Sequence, residues 1–240
     1  MMFSRENFDK QQTTVLVVAA HPDDEVLGCG GAIAKHAQQG DNVHILILAE
    51  GATSRDEKRD RSHFQRELSA LASAAKQASE ILGSTSVSLK DFPDNRMDGC
   101  ELLDIVKVIE DAVTHIHPQI VYTHHNGDVN IDHRRVHEAV ITACRPKPGS
   151  SIKTLLFFEV PSSTEWRPPG SAPSFAPNWF VDISETLTLK LKALEAYSLE
   201  MCPYPHPRSI ESVEYLARWR GSTVGVEAAE AFMLGRNLCL

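Results

Sequence analysis

The stretch Val15 to Gly31, VLVVAAHPDDEVLGCGG, constrains this chain more than any other. Val15 to Ala20 is an unbroken apolar run, the pattern of a strand covered on both faces rather than one with a wet side. Such strands belong to parallel sheets, and ligands of open α/β sheets bind beyond the strands' carboxyl ends. The run stops at His21, so His21, Pro22, Asp23, Asp24 and Glu25 fall at that edge. Pro22 fixes one backbone angle and removes a donor, which stiffens the turn. The glycines at 28, 30 and 31 let the following helix pack close to the strand or a ligand.

Three side chains of this turn suit a metal. His21 offers an imidazole nitrogen, and Asp23 and Asp24 offer carboxylates. Histidine with carboxylate ligation and one open position is the pattern of catalytic zinc. Adjacent carboxylates in one small pocket oppose each other's ionisation, and a cation removes that conflict. If one Asp binds the metal, the other faces the activated water as a base. The competing reading is a polar turn whose Asp residues cap the helix.

AHPDDEVLGCGG resembles the signature of the LmbE-like, or PIG-L, family of zinc-dependent deacetylases. Its members remove the acetyl group from N-acetylglucosamine-type sugars and related amides. The resemblance implies His21 and Asp24 as zinc ligands and Asp23 as general base. It continues at Asn130-Ile131-Asp132-His133, where the family usually reads H-x-D-H. His133 then maps to the third ligand, and Asp132 to a carboxylate that orients neighbouring imidazole chemistry. Asn130 stands in place of the first family histidine, which polarises the substrate carbonyl or protonates the leaving amine. An amide donates a hydrogen bond to an oxyanion but shuttles no proton.

The remaining elements repeat strand then helix. A helix is expected over Glu25–Gln39, a buried strand over Val43–Ala49, a long helix over Arg59–Leu82 and a strand over Val87–Phe92. Another helix is expected over Glu101–Val113, a strand over Ile120–Thr123, a helix over Arg134–Cys144 and a strand over Leu155–Val160. Ser184 reads as the cap of a helix over Glu185–Leu199, and a last helix runs from Ile210 to Arg220 with Gly221 ending it. Gly225 to Phe232 resembles the family's closing motif. This order predicts one α/β unit over residues 1–240, a Rossmann-like three-layer sandwich with a mainly parallel sheet. Met1 to Gln12 reads as a loose polar leader without the apolar segment of a secretory signal.

Other candidates lie after the strands. Arg55 follows the second strand, where it meets an anionic or hydroxyl-rich substrate or opens a solvated charged helix; the resemblance favours the substrate. Asp94 and Arg96 follow the third strand, either contacting sugar hydroxyls or forming an ordinary turn. His124 and His125 read equally as site or polar-loop residues. His137 has the spacing of a fourth ligand, but the family pattern omits it, so it reads as structural. Glu159 is a further pocket candidate. Pro161 to Pro177, with Trp166 inside it and Trp179 beside it, reads as a lid or substrate wall. His206 stands between prolines in CPYPHPR. It reads either as the transition-state stabiliser that Asn130 no longer provides or as an interface histidine.

Bulk properties narrow the partners. With 42% hydrophobic residues the 240-residue chain builds a real core. A net charge of −8 argues against a general nucleic-acid binder or an anionic-membrane binder. No apolar run approaches the ~20 residues of a membrane span. The five cysteines are scattered, which predicts reduced thiols and a cytoplasmic location. The expected reaction is zinc-dependent hydrolysis of an N-acetylated amino sugar or conjugate. Asp23 is the base, His206 and Asn130 stabilise the oxyanion, Asp132 supports the site, and Arg55, Asp94 and Arg96 hold the sugar. The proline-rich loops leave room for a homo-oligomer. Two rivals stand beside this reading. One is another reaction on the same metal site, such as hydration of an unsaturated acid. The other is a magnesium-binding phosphoacceptor domain, which has no use for His21 or His133 and needs about half this length.

Overall fold

Alternation along the first strand decides the layering. In β1 (Thr14–Ala19), Val15, Val17 and Ala19 enter the core on one side of the sheet. Leu16 and Val18, followed by Ala20, enter a second core on the other. The apolar run is unbroken because both faces are covered, as in parallel sheets generally. The structure, a computed structural model, describes residues 12–239. The leader expected before the first strand lies outside the described residues, apart from Gln12, whose amide donates to Gly40 O at 2.7 Å.

The chain continues through α1 (Asp24–Gln38), β2 (Asn42–Ala49), α2 (Gln65–Leu82), β3 (Ser86–Phe92), α3 (Leu102–Ile116), β4 (Ile120–His124), α4 (Ile131–Ala143) and β5 (Thr154–Phe158). Then come β6 (Trp179–Asp182), α5 (Leu187–Ala196), α6 (Ile210–Ser222) and β7 (Ala229–Asn237). The seven strands form one sheet in the order β3-β2-β1-β4-β5-β7-β6. Strands β1 to β5 pair in parallel, while β7 runs antiparallel to both β5 and β6. The α/β sandwich is as expected, with an antiparallel edge that the strand–helix repeat did not reveal. Winding starts at β1, moves outward through β2 and β3, then returns to lay β4 against the other side of β1. The β1/β4 seam is therefore the topological switch point, where a crevice opens beyond the carboxyl ends.

Two expected elements moved for local reasons. Helix α2 starts at Gln65 rather than Arg59. Asp60 accepts from Ser62 N at 2.9 Å and forms a turn, while Arg59 Nε and Arg61 Nε reach buried Glu50 at 2.7 and 3.1 Å. The charge run is thus a loop folded onto a buried acid rather than a solvated helix face. Ser184 does not cap α5; its hydroxyl bonds Asp182, and the helix starts at Leu187.

Helix α1 is broken at Cys29, whose φ of −150° and ψ of 25° are not helical. The break frees the N–H groups of Gly31 and Ala32, which donate to the Glu230 carboxylate at 2.8 and 2.7 Å. Lys190 Nζ closes the arrangement at 2.6 Å from Glu230 Oε1 and also donates to Leu27 O at 2.9 Å. Both side chains are at most 4% exposed. A buried pair adds little over apolar packing, but losing one partner strands the other. Glu230→Ala is expected to lower unfolding free energy in urea by about 3–5 kcal/mol. Lys107→Ala, which breaks the exposed pair with Glu110, should cost under about 1 kcal/mol. Equal midpoints for the two variants would show that the buried carboxylate does not hold the helix break.

Candidate metal centre

The turn after β1 is strained where its chemistry lies. Asp23, the residue before α1, has φ 123°, a region that a residue with a Cβ holds only under constraint. It does not cap the helix with its side chain, so the capping expectation fails. Its own N–H donates to Glu25 Oε2 at 3.1 Å, and Tyr197 Oη donates to Glu25 Oε1 at 2.5 Å. The strained residue is thus held from beneath by a buried carboxyl. Burial pushes Glu25 up to about 7. Burial and then the charge of Asp24 push Asp23 well above the usual carboxylate range, against the pull of Arg208.

Asp24 is the centre of the cluster. Its Oδ2 lies 3.2 Å from His21 Nδ1 and 3.2 Å from His133 Nε2. The three donor atoms lie within 4.8 Å of one another. Each imidazole presents its other nitrogen to a second buried carboxylate: His21 Nε2 donates to Asp132 Oδ2 at 3.0 Å, and His133 Nδ1 donates to Asp128 Oδ2 at 3.1 Å. Those outer bonds fix which nitrogen turns inward, the arrangement that surrounds metal-binding histidines. Burial alone would lower both imidazoles. For His21 the bonds to Asp132 and Asp24 outweigh it; for His133 the charges of Asp24 and Asp128 do, bringing it to about 9. Burial alone would raise Asp24, yet the neighbouring imidazoles hold it well below its ordinary value. A field that stabilises protons on both rings also stabilises a cation between them.

The two 3.2 Å separations at Asp24 are close to those of donors sharing one ion. Two donors each about 2.0–2.1 Å from a tetrahedral ion stand about 3.3 Å apart. His21, Asp94 and Asp132 also cluster within 4.8 Å, but their oxygens are committed. Asp132 accepts from Asn95 N and Met97 N at 2.7 and 2.9 Å, and Asp94 Oδ2 accepts from Ser54 N and Oγ at 3.1 and 2.6 Å. That group is the outer support of His21.

A cavity of about 290 Å³ opens over Asp23, Asp24 and His133. Its walls come from segments after β1 to β5, joined by Glu200 and Arg208 from the loop between α5 and α6. Arg55, Asp94 and Asn130 all line it. Arg55 Nη2 is bound to Glu200 Oε1 at 2.7 Å. Asn130 caps α4, accepting from Asp132 N at 2.8 Å and donating from Nδ2 to Asn95 Oδ1 at 2.8 Å. One Nδ2 proton remains beyond that bond.

The other candidates lie off the cavity lining. Arg96 does not line the cavity, because its guanidinium donates to the carbonyls of Asp56 and Glu57 at 3.0 and 2.7 Å. His206 also lies off the lining: its Nδ1 accepts from Arg208 N at 3.1 Å, and its ring meets Trp166 edge-on at 5.6 Å. Glu159 forms a paired bond with Arg220 at 2.8 and 2.7 Å and lines other hollows. His124 is fully buried. It accepts from Ala20 N at 2.8 Å, tying β1 to β4, and stacks on His133 at 4.0 Å. His125 reaches Pro173 O at 2.9 Å in the proline-rich loop. His137 is structural, with Nδ1 donating to His124 O at 2.8 Å.

Two site residues escaped the sequence reading. Asp128 supports His133 and is held by Ser163 and Thr164 of the loop after β5, the latter at 2.8 Å. His133 and the shared hydroxyl contacts bring Asp128 down to about 2 despite its burial. Arg208 Nη1 stands 3.4 Å from Asp23 Oδ2. Asp128 carried a signal, an acid five positions before His133. Arg208 lay in the proline-rich stretch already singled out, but spacing does not show which way such a loop faces.

Comparison with known proteins agrees with this geometry. Residues 16–144 match the PIG-L family, described as GlcNAc-PI de-N-acetylase. The chain is 31% identical over 189 residues to the uncharacterized deacetylase YaiS of Escherichia coli, covering 76% of this chain and 89% of that one. It is 32% identical over 207 residues to a 4-oxalmesaconate hydratase of Pseudomonas putida, covering 80% and 76%. Its fold superposes on the N,N'-diacetylchitobiose deacetylase of Pyrococcus horikoshii with a TM-score of 0.74 at 20% identity, over 98% of this chain and 88% of that one. With the match spanning more than half its length and the ligand-type residues of both motifs meeting at one seam, the chain belongs to the PIG-L family.

Proposed function

We propose that this protein is a zinc-dependent N-deacetylase that hydrolyses the acetamide of an N-acetylated amino sugar or sugar conjugate. The observation that carries this reading is the shared Asp24 oxygen, 3.2 Å from two imidazoles that each rest on a second carboxylate, beside Asp23 in one cavity. His21, Asp24 and His133 would hold the ion, which supplies a Lewis acid and lowers the pKa of a water it binds. Asp23 is positioned to take a proton from the attacking water and return it to the leaving nitrogen. Its raised affinity for protons suits a group that must both accept and release one. The spare Nδ2 proton of Asn130 and the guanidinium of Arg208 are the donors available to a developing oxyanion. Arg55 offers charge and hydrogen bonds for sugar hydroxyls, with Asp94 beside it on the lining. All five cysteines are free, which supports a reducing, cytoplasmic setting. Among the described residues no helix is long and apolar enough to cross a membrane.

A second reading has one observation of its own. Arg55 and Arg208 share a wall of the cavity, bridged by Glu200 at 2.7 and 4.0 Å. Two guanidiniums beside a metal suit an unsaturated acid, and the chain resembles a hydratase as well as a deacetylase. Acetate release from a panel of N-acetylated sugars separates the readings. The parent should release acetate. Asp23→Asn should lose about 10²- to 10⁴-fold in kcat with zinc content unchanged. No acetate from any sugar, with turnover of an unsaturated dicarboxylate, would move the assignment to hydration. Full activity in Asp23→Asn would remove Asp23 as the base.

The metal site has its own tests. Zinc takes neutral imidazole, while the empty site holds His133 protonated up to about 9. Below that pH, binding must expel the proton, so affinity should weaken as pH falls from 9 to 6. Calorimetry at pH 7 in two buffers of different ionisation enthalpy should show net proton release. Asp128→Asn should weaken zinc binding about 10- to 100-fold; an unchanged affinity would deny Asp128 its supporting role.

A further inference from the structure

Arg208 is held loosely for a guanidinium in a cavity wall. Its Nη1 lies 3.4 Å from Asp23 Oδ2 and 4.0 Å from Glu200 Oε2, longer than the roughly 2.7–2.9 Å of a charge-assisted hydrogen bond. Its Nε is buried and has no hydrogen-bond partner among the described residues. Arg55 is held tightly instead, with Nη2 2.7 Å from Glu200 Oε1. Glu200 therefore stands between two guanidiniums and turns one oxygen to each. All three residues line the metal cavity. The acid is also the most sheltered of them, its side chain 13% exposed against 47% for Arg55 and 31% for Arg208.

Two guanidiniums converging on one point make a seat for a carboxylate. Here the protein seats a carboxylate of its own. With Asp23 ionised, as a base must be, Arg55 and Arg208 face Glu200 and Asp23, and the wall is balanced before any ligand arrives. A ligand carboxylate would bring an unmatched charge beside Glu200, and like charges set together are strongly disfavoured. A hydroxyl meets no such barrier, because it accepts from a guanidinium and donates to a carboxylate. We propose that Glu200 is a specificity-determining residue: it occupies the seat that an anionic substituent would take on Arg55 and Arg208, and so restricts the cavity to substrates uncharged at this wall. Such selection works by repelling the wrong ligand rather than by gripping the right one harder. The proposal rests on the deacetylase reading for what meets the metal, and it adds the charge that this substrate carries.

Succinate probes the seat without chemistry, since it has no amide to cleave and no carbon–carbon double bond to hydrate. Calorimetry on the zinc-loaded protein should show weak binding to the parent. Glu200→Gln keeps the size of the side chain and drops its charge, and should bind succinate about ten- to a hundredfold more tightly. Glu200→Ala is a second variant and should show the same direction of change. Removing a negative charge from any cavity eases the entry of an anion, so the deciding comparison is made in an Arg55→Ala background. There Glu200→Gln should gain much less, because the seat itself is gone. An equal gain in both backgrounds would mean general repulsion rather than an occupied seat, and overturns the proposal. Succinate affinity unchanged by Glu200→Gln, or absent in every variant, overturns it as well. Failure of the parent to release acetate from any N-acetylated sugar, with the Arg55-dependent gain intact, would remove the deacetylase reading and leave Glu200 in its seat.

Discussion

One carboxylate oxygen organises this molecule. Asp24 Oδ2 lies between His21 and His133 and also accepts the backbone N–H of His21 at 2.8 Å. The two rings come from segments on opposite sides of the β1/β4 seam. They meet only because the chain, after building β2 and β3, returns to pair β4 with β1. Parallel pairing places both strand ends at the same edge. The pairing is secured at the site itself, where His124 at the end of β4 accepts from Ala20 N and Thr123 Oγ1 donates to Val18 O at 3.0 Å. Fold and site thus share hydrogen bonds, and His124 serves both by stacking on His133.

The outer carboxylates extend that dependence. Asp132 takes two backbone N–H groups of the loop after β3, and Asp128 takes two hydroxyls of the loop after β5. Each supporting acid therefore pins a different loop to a ring that points at Asp24. The bonds that orient the rings also fasten these loops of the cavity wall. The proline-rich segment is also fastened further out, where Pro173 O accepts from His125 and lies so close to Gly127 that a Cβ there would collide with it.

What was legible in the sequence was whatever short-range pattern encodes. The unbroken apolar run announced β1, and the HPDDE turn announced the chemistry at its end. Asn130 to His133 announced the second half of the site. Strand β7 escaped because Ala229 to Asn237 pairs only with distant partners, Thr154 to Phe158 on one side and Trp179 to Asp182 on the other. No alternation of its own marks it as a strand. Side-chain direction in loops was equally hidden. In CPYPHPR the bond from Cys202 N to Arg208 O at 3.1 Å closes the loop on itself. That closure seats Arg208 on the cavity and leaves His206 off its lining, the opposite of what residue type alone suggests. Arg96 shows the same limit: two open carbonyls nearby claimed its guanidinium.

The exchange of a histidine for Asn130 then has a chemical consequence. A histidine there could carry a proton to the leaving nitrogen; neither an amide nor a guanidinium does so. On the proposed reading both halves of the transfer would then fall to Asp23, the lining carboxyl next to Asp24. It is also the residue with the strained backbone, the buried acid beneath it and the arginine beside it. Glu25 matters here through geometry: its carboxyl accepts the Asp23 N–H from below and is itself gripped by Tyr197. Turning Asp23 to an ordinary backbone angle would break that bond and swing its carboxyl relative to Asp24. The strained turn is therefore what separates two adjacent aspartates, Asp24 meeting the rings and Asp23 meeting Arg208 at the cavity. Repulsion between them is worst when the site is empty. Binding a cation to the folded state should relieve it, so that loading the metal and holding the strained turn reinforce each other.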